Sequence, residues 1–142
     1  MVRTKERHLM IAVEPMDGGS SSVPFSALQI SFREAAAGQE AKSMEATQKS
    51  VMQTQHYSPH ARLCMVRVTL AQSRELRESI ERIRFIQQRR VQVRIVRASG
   101  NARLARREFA RRLEEVLQTA TDGKARKALR TLLGTLADLQ KR

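Results

Sequence analysis

A chain of 142 residues with 27 Lys and Arg against 14 Asp and Glu carries a net charge of +13, and 41% of its residues are hydrophobic. That length suits one domain with a modest core; with four Phe, one Tyr and no Trp, the core has to be built from aliphatic side chains, which bury less area each. A single cysteine, Cys64, excludes an intrachain disulfide and fits a reducing compartment.

No window of the sequence approaches the roughly 20 apolar residues of a membrane-spanning helix. The apolar run Leu9 to Val13 is too short for a secretory signal. The expected location is intracellular (cytoplasmic) or virion-associated.

The charge is segregated. Residues 62–112 hold fifteen Arg, no Lys and four acids, Glu75, Glu78, Glu81 and Glu108, a net charge of +11. Such a field selects a polyanionic or acidic partner. Arg in place of Lys also favours forked contacts to phosphate or carboxylate.

In chain order, residues 1–24 are expected to form a flexible basic arm and a Gly/Ser-rich linker, with one short edge strand over His8 to Val13. Residues 25–142 are expected to be a single small domain. Phe25, Leu28, Phe32 and Ala36, then Met44, Thr47 and Val51, have the three-to-four spacing of a helix running to about Gln55. Pro59 ends that segment.

Residues 62–98 read as an Arg-rich β-α-β unit. Cys64, Val66, Val68 and Leu70 alternate as in a strand. Ser73 is positioned to cap a helix reaching about Arg90, with Leu76, Ile80, Ile83 and Gln87 on one face. Val91, Val93 and Ile95 then alternate against Gln92 and Arg94. One continuous helix over 62–98 is the alternative, because Leu63, Val66, Leu70 and Ser73 also fit a helical spacing.

Asn101 is expected to cap a helix to about Ala120, with Ala105, Phe109, Leu113, Val116, Leu117 and Ala120 on one stripe, and Gly123 to supply a left-handed cap in the turn that follows. Leu129, Leu132, Leu136 and Leu139 then form a short seam in a last helix, so residues 101–141 read as an antiparallel helical hairpin. The expected fold is α+β but mainly helical, with an all-α arrangement as the alternative.

Catalysis finds no constellation. The glycines form neither a Walker loop nor a dinucleotide fingerprint, and no acid, base and nucleophile set can be assembled. His56, His60 and Cys64 are spaced four apart, but one such triple, interrupted by Pro59, is a weak metal signal. A non-enzymatic protein with no cofactor and no metal is therefore expected.

The helix starting near Asn101 carries Arg103, Arg106 and Arg107 in its first turns, where its own dipole disfavours cations. Phosphate docked there would explain them. The expected contacts to the backbone of DNA or RNA, without base specificity, are Arg89, Arg90, Arg94, Arg97, Arg103, Arg106, Arg107 and Arg111. Phe85, Leu129, Leu132, Leu136 and Leu139 are the expected interface to partner subunits in a homo- or hetero-oligomer. The competing expectation is a structural or adaptor subunit of a virion or secretion-type assembly, docking on an acidic protein surface.

Overall fold

The computed structural model describes residues 5–16, 23–42 and 52–141. Its centre is strand β1, Glu6–Pro15, which is buried over His8 to Val13 on both faces. It is followed by α1, Phe25–Lys42, then β2, Met52–Ser58, and β3, Leu63–Thr69. After a 3-10 turn come α2, Ser73–Glu81, the two-residue strand β4, Phe85–Ile86, and β5, Arg89–Ser99. Two long helices, α3, Ala102–Thr119, and α4, Gly123–Gln140, complete the chain.

The strands form one antiparallel sheet in the order β2-β3-β1-β5-β4. β1 pairs with β3 in the register Leu9 to Val66, and with β5 in the register Val13 to Val93. Side chains alternate between the two faces, and helices pack on both. Leu9, Ile11, Val13, Cys64, Val66 and Val93 pack under α1 and α2. Met10, Ala12, Leu63 and Met65 pack under Phe109 and Leu113 of α3 and Leu129 and Leu136 of α4. The sheet is thus the middle of three layers.

Several expectations are corrected by this arrangement. The fold is a mixed α/β architecture and not a mainly helical one, and no β-α-β unit forms over 62–98: β1 lies between β3 and β5 and runs antiparallel to both. The all-α alternative fails with it, because β3, β4 and β5 occupy most of that segment. The expected edge strand near the N-terminus is instead the central one. A strand buried on both faces reads as a continuous apolar run without alternation, and so gives no sign of its position in a sheet.

The helix expected to reach Gln55 stops earlier. Residues 52–58 form β2 on β3, with a bulge between Thr54 and His56. The helix expected to reach Arg90 ends at Glu81. Gln87 and Gln88 both have positive φ, 50° and 65°, and turn the chain from β4 into β5, with Phe85 opposite Arg90. Ser73 is the first residue of α2, and Gln72 precedes it without a side-chain cap. Gly123 opens α4 behind the N-cap Asp122 and supplies no left-handed cap. Of the arm and linker expected over residues 1–24, residues 1–4 and 17–22 lie outside the described residues, as do the positions Met44, Thr47 and Val51.

Candidate nucleic-acid interface

α3 starts as its sequence suggests, with the Asn101 side chain accepting from Leu104 N at 3.1 Å. Its Ala105, Phe109 and Leu113 face the sheet. α4 returns alongside it, so the end of α4 lies beside the start of α3. Arg103 Nη2 donates to the Gln140 carbonyl at 3.0 Å, Arg106 Nε donates to Gln140 Oε1 at 2.8 Å, and Gln140 Nε2 donates back to the Arg103 carbonyl at 3.0 Å. Cations that one helix dipole disfavours are favoured by the negative end of its neighbour. At the other end, Arg126 Nη1 donates to the carbonyls of Leu117 and Ala120, both at 3.0 Å. These arginines tie the two helices together.

Two more of the expected contact residues share one carboxylate. Glu108 Oε2 accepts from Arg111 at 2.9 Å and lies 3.7 Å from Arg97. The Arg111 hydrogen bond, with the nearby charges of Arg111, Arg97 and Arg112, holds the Glu108 carboxyl below its usual range. Arg111 also approaches Glu115 at 3.7 Å. Arg107 projects from the exposed side of α3 and has no hydrogen bond or ion pair to a described residue.

The strand arginines divide by parity. Arg89 lies on the side of β5 that faces Ile86 and the α1/α2 core, where its charge reaches Tyr57. Arg90, Gln92 and Arg94 are exposed on the opposite side, between the buried Val91 and Val93. α3 covers the sheet beside Arg97 but leaves this stretch open. Two clefts meet there and share Arg94. One, of about 480 Å³, lies between the sheet and α3 and is lined by Arg62, Arg94 and Arg112 together with Glu14 and Glu115. The other, of about 440 Å³, is lined by Arg84, Arg90, Arg94, Met16 and Glu81.

Of the eight arginines expected at the interface, only Arg90 and Arg94 meet on this open surface. Arg62 and Arg112 join them without having been anticipated. Arg62 ends the β2–β3 turn with φ of 56°, a conformation that its sequence, without Gly or Asn at that point, does not announce. Arg112 sits on the sheet-facing flank of α3, a position that only the neighbouring strand reveals.

The expected partner residues also separate. Leu129 and Leu136 are 1% exposed in the core under α3 and α4. Leu132 and Leu139 are half-buried, and Leu132 borders a shallow groove with Phe25, His56 and Tyr57. Phe85 is 63% exposed. Two of the three spaced ligand candidates point apart: Cys64 is buried under α1 and α2, where burial pushes its thiol well up, whereas His56 packs against Phe109 on the other side with ring centroids 6.2 Å apart. Among the described residues no group of three or more His, Cys, Asp or Glu could hold a metal ion, and no helix is long and apolar enough to cross a membrane.

Comparison with known proteins assigns the lineage of this architecture. The model of the Rpp14/Pop5 family matches residues 26–110, more than half of the chain. The chain belongs to the Rpp14/Pop5 family. The matched segment runs from α1 into α3 and includes Arg62, Arg84, Arg90 and Arg94 of the open surface; β1, Arg112 and α4 lie outside it. Among solved structures, a chain in the cryo-EM structure of yeast Ribonuclease MRP is similar in fold, with a TM-score of 0.53 and 13% sequence identity, over 84% of this chain and 96% of that one. No curated protein matches the sequence.

Proposed function

We propose that this chain is a non-catalytic, RNA-binding protein subunit of an RNA–protein assembly of the Ribonuclease P/MRP type, and that it binds the sugar-phosphate backbone without reading bases. Membership of the Rpp14/Pop5 family and the likeness to a chain of yeast Ribonuclease MRP support the assembly and the choice of RNA over DNA. They lend no support to a virion role. In such an assembly the partners are RNA and other proteins.

The observation that carries the binding reading is the open strip of sheet beside α3, where Arg62, Arg90, Arg94 and Arg112 converge on the two clefts. The strand, the turn and the packed helix fix the backbone positions from which these side chains project, and the planar guanidinium fork loses less freedom per hydrogen bond to phosphate than a flexible ammonium would. Arg97, Arg103, Arg106 and Arg111 contribute to the surrounding positive field and to holding the helices in place.

A salt series tests the reading. Log affinity for a structured RNA is expected to fall linearly with log salt, and each phosphate contact removed should lower the slope by roughly one. The double change Arg90→Ala/Arg94→Ala is expected to flatten the slope by about two, and Arg62→Gly by about one with the fold intact, since glycine accepts the positive φ at that turn. Unchanged slopes in both variants would refute the assignment of this surface.

A further inference from the structure

Phe85 is an exposed aromatic side chain that fills neither core. β4 has two residues, and its other member, Ile86, is 1% exposed in the core under α1 and α2. Alternation then sends Phe85 to the opposite side of the sheet, where it stays 63% exposed. It stands directly across from Arg90, a separation of about 5 Å between Cβ atoms. On the other side of Arg90, Met16 donates its N–H to the Arg90 carbonyl at 2.8 Å and is itself 53% exposed. Phe85, Arg90 and Met16 thus form one row across the open sheet, and Arg94 stands on the same face of β5, about 13 Å along the strand from Arg90.

Glu14 and Glu81 border the same ground, so the surface is mixed in charge, and field strength alone is a weak account of it. An exposed aromatic ring beside guanidinium groups adds a second kind of contact. A duplex offers phosphates but keeps the faces of its bases stacked on one another, whereas an unpaired nucleotide offers both a phosphate and a free base face.

We infer that this row is a site for unpaired RNA, with a base stacked on Phe85 and the flanking phosphates held by Arg90 and Arg94. The inference rests on the backbone-binding reading above and adds to it a preference for single-stranded over paired RNA. Its sequence tolerance would follow from the fact that every base has a π-face.

The chain contains no Trp, so Phe85→Trp creates a unique fluorescent reporter at the site. Its emission is expected to be quenched by a short single-stranded oligouridine and left unchanged by a fully paired RNA of the same length. Phe85→Ala is expected to weaken oligouridine binding roughly tenfold while duplex affinity stays within about twofold; Phe85→Trp retains single-strand binding. Phe85 is mostly exposed, and a circular dichroism spectrum matching the parent protein confirms that each variant is folded.

Equal losses on both RNAs, no loss on either, or an unquenched indole signal from the Phe85→Trp variant would overturn the stacking site while leaving backbone binding standing, provided that Arg90→Ala/Arg94→Ala still weakens both ligands. Loss of binding to both RNAs by the parent protein would sink the backbone reading itself. Polyglutamate that binds and quenches as oligouridine does would assign the row to an acidic protein partner and overturn the inference.

Discussion

Arg103 occupies the first turn of a helix whose dipole repels it, and it stays there because the Gln140 carbonyl lies 3.0 Å from its guanidinium. A side chain's charge has meaning only against all the dipoles within reach. His56 illustrates the same dependence in titration. Burial first, and the charge of Arg106 second, hold its imidazole below the ordinary 6.5. The unfolded chain therefore takes up a proton that the folded chain refuses, so stability rises with pH through this range. The contribution is complete above 6.5 and is lost as pH falls through the folded value. Chemical denaturation on either side of pH 6.5 is expected to show lower stability on the acid side, with a smaller decline in His56→Gln. An identical decline in that variant would place the pH dependence elsewhere.

Elements were legible in proportion to how one-sided their burial is. β5 keeps one face open along Arg90, Gln92 and Arg94, so its period of two stands out in the sequence. β1 is covered on both faces, and its apolar run carries no period by which a central strand could be told from an edge. α3 was legible from both its cap and its stripe, since Asn101, Ala105, Phe109 and Leu113 act within one helix. The β4–β5 hairpin was not, because the usual signal for two consecutive positive φ values is Asn-Gly or a similar pair, and here the residues are Gln87 and Gln88. That turn is expected to be strained. Gln88→Gly should raise stability by about 1 kcal/mol by relieving the left-handed conformation, read as a higher midpoint in urea. A lower midpoint would show that the Gln88 side chain contributes more than its backbone costs.

At the scale of the molecule, one sheet supplies the inner wall of two cores. Leu9, Ile11 and Val13 face α1 and α2, and Met10 and Ala12 of the same strand face α3 and α4. Loss of either layer exposes the back of the other, so the layers are expected to unfold together. Phe109 is 0% exposed at the centre of the α3/α4 side. Phe109→Ala is expected to cost about 3–5 kcal/mol, a large part of a typical stability of roughly 5–15 kcal/mol, in a single urea transition observed alike by far-ultraviolet circular dichroism and by tyrosine fluorescence from Tyr57. Two separated transitions would show that the α3/α4 layer melts alone.

Local physics was enough to establish the strongly basic central segment, the start of α3 and the alternating strand β5, because each rests on residues close together in the chain. The position of β1 depends on pairing across some fifty to ninety residues of sequence, and no local pattern encodes that. The same holds for the arginines of residues 62–112. Composition placed a charge of +11 there, but packing sorted it: Arg103 and Arg106 to the end of α4, Arg97 and Arg111 to Glu108, Arg89 to the far side of the sheet, and Arg90 and Arg94 to the open strip with Arg62 and Arg112. Which guanidinium groups remain available to a partner is settled by the helix ends, carboxylates and strand parity around each one, and those neighbours meet only when the chain is folded.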